Sequence, residues 1–180
     1  EFLLFKSLVR NRRSIRRYTS DALPRELLEE LLDAAIWAPS AHNRQPWRFA
    51  VLRTAKPKRI LAQAMGDRLR SDRLADGDAP EIVERDVSRS YSLITQASAA
   101  VVVNLTMVDM DLYPDNERSR AEYVMAVQGT AMAAQNLLLA AHTHGLGACW
   151  MCAPLFCPDT VRVTLSLPDD WVPQAIVTLG

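Results

Sequence analysis

The chain has 180 residues, 49% hydrophobic and 23% charged, with a formal net charge of zero. That balance is ordinary for one folded domain with a real core, spanning residues 1–180, and bulk charge points to no acidic partner. Three cysteines cannot all pair within one chain and nothing suggests a secreted disulfide scaffold, so a reducing cytoplasm is the expected location. The most apolar stretch, Tyr123 to Ala141, is broken by Gln128, Gly129, Gln135 and Asn136, so no uninterrupted run reaches the roughly 18–20 residues of a membrane span. The start lacks the small-residue cleavage site of a signal peptide. It opens on Glu1 rather than Met, as expected of a fragment.

In chain order, residues 2–11 read as a short helix that leads into a basic segment. Ser20 and Asp21 supply a turn, and Pro24 suits a first helical turn. Leu27, Leu28, Leu31, Leu32 and Ala35 then recur at helical spacing, with Arg25, Glu26, Glu29, Glu30 and Asp33 facing water. This helix stops near Pro39. Residues 39–46 (PSAHNRQP) are polar and proline-bounded, hence a loop. A strand is predicted over Trp47 to Arg53, and helices over Lys58 to Leu74 and Pro80 to Gln96. Ala99 to Leu105 reads as a strand buried on both faces. Residues 108–118 read as an acidic loop, and Arg120 to His144 as the longest helix, ended by Gly145. A strand over 148–151, a helix over 159–165 and a strand over 174–179 complete the pattern. Separated strands among mixed helices predict one α+β domain, without fixing strand order.

The long helix is apolar around much of its circumference. Val124, Val127, Ala131, Ala134, Leu138 and Ala141 form one stripe, widened by Met125, Met132, Leu137 and Leu139. Such a helix is central to a core or to a subunit interface. Pattern leaves both open, with an obligate dimer favoured for so small a domain.

Between Lys6 and Arg17 lie Lys6, Arg10, Arg12, Arg13, Arg16 and Arg17, with no acid among them. Three readings compete. The segment could be a solvated basic face. It could be a nucleic-acid arm, although no basic surplus or binding motif accompanies it. Or it could be a phosphate clamp, because guanidinium forks bond phosphate bidentately and Ser14 adds a hydroxyl.

The motifs RRSIRRY, then APSAHNRQPWRF, then GLGACWM, in that order, resemble the landmarks of nitroreductase-like flavoproteins over essentially the whole chain. The resemblance implies the nitroreductase-like fold: a central mixed or antiparallel sheet flanked by helices, in an obligate homodimer with FMN at the interface. It implies that Arg12, Arg13, Ser14 and Arg16 hold the FMN phosphate and ribityl chain, with Ile15 contributing backbone. Pro39, Ser40 and Asn43 would approach the same flavin from the other subunit, and the backbone of Cys152 would face the ring. Such proteins usually carry a further basic phosphate contact beyond the final strand; the sequence stops at Gly180, before it.

A narrower similarity lies in MGDRLRSDRLADG, IVERDVSRS and YPDNERSRAEYVMAVQG, which resemble the flavin domain of the bifunctional ligase/reductase that completes the deazaflavin coenzyme F-420. It implies that Asp72 contacts a deazaflavin substrate. The ligase is absent here, as in a separated domain or free-standing homologue, and HNRQPW is closer to general nitroreductases.

In such a protein the flavin carries the redox chemistry, so no catalytic side chain is expected. The electron donor would be NAD(P)H or a reduced deazaflavin. The rival functions are a generic NAD(P)H-dependent nitro- or quinone reductase and a non-catalytic flavin or deazaflavin binding module. Neither nucleic acid nor membrane is an expected partner. Cys149-x-x-Cys152 has zinc spacing, but a strand there turns the two thiols to opposite faces, so no metal site is expected. His42 reads as a partly solvated loop residue. Asp109, Asp111 and Asp115 lack the Gly and terminal Glu of a calcium loop and read as solvated acids. Trp37, Trp47, Trp150 and Trp171 read as packing residues at element ends.

Overall fold

The computed structural model describes residues Glu1–Gly180. Four strands form the central sheet: β1 (Trp47–Leu52), β2 (Ala99–Leu105), β3 (Ala148–Met151) and β4 (Val172–Leu179). Their order is β1-β2-β4-β3, and every pairing is antiparallel, so the expectation of a mixed or antiparallel sheet resolves to the second. Parallel character survives only in a lone bridge between Ser14 and Ala148, on the outer edge of β3.

β2 is buried at all seven positions; its apolar run Ala99–Val103 predicts this, and the polar Asn104 is buried with it. Its alternate residues feed two cores. Ala99, Val101 and Val103 meet α2 (Arg25–Ile36) and α5 (Asn116–Thr143) on one face. Ala100 and Val102 meet α3 (Ala55–Ala75), α4 (Pro80–Gln96) and α6 (Pro158–Leu165) on the other. The result is three layers with the sheet in the middle. α1 (Phe2–Asn11) lies outside on α5 and buries none of its residues.

Element bounds shift where local chemistry was not counted. α5 begins at Asn116, not Arg120, because Asp115 caps it by accepting the Arg118 N–H at 2.8 Å. It ends in a Schellman motif: Gly145 N–H bonds His142 O at 3.1 Å, and Leu146 N–H bonds Ala141 O at 2.9 Å. Gly145 takes φ +73° there. β4 begins at Val172 and tolerates Pro173 because β3 pairs only with Ile176 to Leu179, leaving Pro173 on a local edge.

Within one protomer only part of the apolar stripe on α5 is buried. Val124, Ala131 and Met132 are exposed, whereas Glu122, Gly129 and Thr130 are buried. Small residues decide the buried face, because they let α2, the sheet and the 39–46 loop approach the helix axis closely. By length and composition α5 could cross a membrane, with a mean hydropathy of 1.3 over 18 residues, unlike the reading of an interrupted run. Here it is packed between α2 and the sheet. Trp37 departs from expectation too: it caps the end of α2 and is 80% exposed.

Candidate flavin site

The basic segment leaves α1 at Arg12 and runs along the free edge of β3. Ile15 N–H donates to Ala148 O at 3.0 Å, which fixes the segment to the sheet. The Tyr18 hydroxyl donates to Ile15 O at 2.9 Å and lies 2.6 Å from Thr178 Oγ1 on β4. Burial pushes the Tyr18 phenol up to about 12, against the lowering effect of the Thr178 hydroxyl. Both backbone polar groups of Ile15 are therefore engaged within the chain. Ile15 acts as the anchor of the segment rather than as a free donor. Tyr18, the last letter of RRSIRRY, is the second anchor, and sequence reasoning gave it no role.

The arginines that this anchoring presents are uncompensated. None of Arg10, Arg12, Arg13, Arg16 and Arg17 has a carboxylate partner, while nine arginines from Arg25 to Arg162 do. Arg13 folds back on the carbonyls of Arg10 and Arg12, at 2.5 and 2.9 Å. Arg12, Arg13 and Ile15 border a cavity of about 110 Å³ closed by Leu138 and His142 of α5. A cluster of unpaired guanidiniums beside a small cavity fits a phosphate.

Pro39, Ser40 and Asn43 belong to a different place. Their loop packs on the middle of α5, where Gly129 admits it: a Cβ there would stand 3.4 Å from Ser40 Cβ. The loop is strained, with left-handed backbone at His42, Asn43 and Gln45 (φ 50°, 53° and 49°), none of them glycine. Ser40 Oγ accepts the Gln45 N–H at 2.9 Å, closing the turn. From Gly129 to His142 the helix advances thirteen residues, about 20 Å at its usual rise. The loop leads into β1, at the opposite edge of the sheet from the arginines. One protomer thus keeps the two predicted halves of the site apart.

Cys152 follows β3 and is exposed, with the Trp150 indole N–H donating to its Sγ at 2.7 Å. Cys149 and Cys157 are buried, and no group of three or more His, Cys, Asp or Glu residues converges. Just beyond Met151 lies a cavity of about 80 Å³ between α3, α4 and the 153–156 turn, mostly apolar. Asp72 stands in its wall, accepting from Arg68 Nε at 2.7 and 2.8 Å through both oxygens. Phe156 lies at its mouth, 78% exposed, and Cys157 lines it, the thiol pushed up by burial. Apart from Asp72, the cavity is long-range packing with no sequence signature.

The nitroreductase family profile matches residues 9–180. The chain belongs to the nitroreductase family. A Thermus thermophilus NADH dehydrogenase is 32% identical, over 97% of this chain and 85% of that protein. A Methanothermobacter thermautotrophicus protein assigned as an NADH dehydrogenase/NAD(P)H nitroreductase is 30% identical, over 96% and 74%. Among solved structures, a protein from Desulfovibrio desulfuricans assigned as a nitroreductase, crystallised with FMN, superimposes with a TM-score of 0.75. It is 30% identical and is covered over 84% of its length by 97% of this chain.

Proposed function

We propose that the chain is an FMN-dependent oxidoreductase that passes two electrons from NAD(P)H to a flat conjugated acceptor such as a quinone or nitroaromatic. It works as a homodimer, each FMN lying between the arginine segment of one copy and the 39–46 loop of the other. The observation that carries the reading is the uncompensated arginine cluster fixed to the edge of β3, within a nitroreductase-family chain. The two halves of the site lie too far apart on one protomer to close on one cofactor, which supports the shared arrangement. The names of the relatives support NAD(P)H as donor.

FMN, when bound, supplies the two-electron exchange by hydride transfer. The chain's own residues bind and orient. Arg12, Arg13 and Arg16 neutralise the phosphate, and Ser14 adds a hydroxyl. Tyr18 and Ile15 hold that segment in register with β3. Pro39, Ser40 and Asn43 border the flavin from the other copy, and Cys152 backs the ring. The exposed apolar residues of α1 (Phe2, Leu3, Leu4, Phe5) and of α5 (Val124, Met132) are the surface that dimerisation would cover.

Purified protein should carry the flavin absorption bands, sediment as a dimer, and bleach on anaerobic addition of NADH or NADPH. Protein that acquires no flavin spectrum with added FMN contradicts the reading. FMN that binds but is reduced by no pyridine nucleotide favours a binding module. Asp72 in the wall of the cavity beside Met151 supports a second reading, a deazaflavin acceptor from coenzyme F-420 biosynthesis. Deazaflavin binding that weakens in Asp72→Ala would select it; turnover of quinones unaffected by that change would select the first.

A further inference from the structure

We infer that the acidic loop over residues 106–115 is a clamp that sets the geometry of the flavin-bordering loop, with Asp109 and Asp111 as positioning residues. The inference rests on the reading that residues 39–46 border FMN. Three non-glycine residues in left-handed backbone persist only where their surroundings over-determine them. The surroundings here come from the acidic loop. Thr106 N–H donates to Pro46 O at 2.9 Å, pinning the exit of the turn. Arg48 donates to Gln45 O at 3.0 Å and, through its other nitrogen, to Asp109 at 3.3 Å. Arg44 donates to Asp111. The Asp111 backbone N–H in turn donates to Glu122 Oε1 at 3.2 Å, and Glu122 is buried in α5.

The strained turn is therefore tied at Arg44, Gln45 and Pro46 to a loop that is itself tied to α5, the helix on which Ser40 rests. Asp109 and Asp111 are not merely solvated acids. They are the carboxylates that face Arg44 inside the turn and Arg48 just beyond it. Both ion pairs are a third or so exposed on each side or more, so they add little to global stability. Their effect lies in holding one loop conformation ready for the cofactor, which spares FMN the task of selecting it.

The test is FMN affinity by fluorescence titration, beside the melting temperature of the apoprotein. Asp109→Asn with Asp111→Asn should weaken FMN binding about ten-fold, with apoprotein melting within about 2 °C of the parent, as expected for exposed pairs. The direction is diagnostic. Removing two negative charges takes the net charge upward from zero, which by itself favours an anionic ligand. A loss of affinity thus reports loop geometry. The charge swap Arg44→Asp with Asp111→Arg should recover most of the affinity that Asp111→Asn loses. Glu122→Gln, which keeps an acceptor for the Asp111 N–H, should bind FMN more tightly than Glu122→Ala.

Unchanged or improved FMN affinity in the double variant overturns the inference, as does a swap that recovers nothing. Arg16→Ala separates the two layers. If it loses FMN while the acidic-loop variants do not, the clamp fails and the site stands. If it too binds FMN like the parent, the site reading falls and takes the clamp with it.

Discussion

Gly147→Ala tests the packing that carries the arginine segment. A Cβ at Gly147 would stand 2.7 Å from Ile15 Cγ2, 3.0 Å from Ile15 Cβ and 3.1 Å from Gly180 O. Ile15 cannot yield by a rotamer change alone, since its own Cβ is in the way. Its backbone must move, and its hydrogen bond to Ala148 O with it. Overpacking of this kind costs about 1–3 kcal/mol. For a chain of this length that lowers the melting temperature by roughly 2–12 °C. Displacing Ser14 and its flanking arginines should also remove one charge-assisted bond to phosphate, worth about 1.5–3 kcal/mol, or roughly 10- to 150-fold in FMN affinity. Gly145→Ala is the matched control. It is strained by its φ of +73°, yet a Cβ there meets nothing within 4 Å. It should cost about 1–2 kcal/mol of stability and leave FMN affinity unchanged. Thermal melts of the apoproteins and fluorescence titration with FMN separate the two. A Gly147→Ala protein that melts and binds FMN like the parent would refute the reasoning.

Other outcomes follow from the same geometry. Tyr18→Phe removes the bonds that join the arginine segment to β4 and should cost about 1 kcal/mol in chemical denaturation. The phenol's raised pKa means that the fold prefers the neutral form, so its contribution is full below pH 10 and is lost as pH rises toward about 12. The stability gap between parent and Tyr18→Phe should therefore narrow across that range; a constant gap would contradict it. Leu137→Ala, at a fully buried position between α2 and the sheet, should cost about 2–5 kcal/mol by urea denaturation. A disulfide-exchange reagent should label Cys152 rapidly and Cys149 and Cys157 slowly, because only Cys152 is exposed. Bound FMN should slow the Cys152 reaction; an unchanged rate would place that residue away from the flavin.

Periodicity located the elements because local patterns decide them. The alternating cores on either side of β2 are written in an unbroken apolar run, and Gly145 marks the end of α5 in the residue itself. Two features escaped for one shared reason, since tertiary contacts decide them. α5 looks apolar nearly all round, yet its buried face was selected by where Gly129 and Ala133 admit neighbours, leaving Val124 and Met132 outside. Asp109 and Asp111 look like solvated acids until Arg48 and Arg44, some sixty residues earlier, are brought against them. The motifs named the arginine segment and the 39–46 loop together, but only the fold reveals that they occupy opposite edges of one protomer. Tyr18 and Gly147 stood inside those motifs, and their work, anchoring and making room, needs coordinates to be seen.

Mixed dimers test the shared site most directly. Arg16→Ala damages the arginine half and Asn43→Ala the loop half, so each homodimer should bind FMN poorly. In a heterodimer of the two, one interface site carries both defects and the other carries neither. Tagged heterodimers purified after co-expression should therefore bind one FMN with the parent's affinity. Heterodimers that bind none, or that hold two FMN weakly, would contradict a flavin held jointly by the arginines of one copy and the loop of the other.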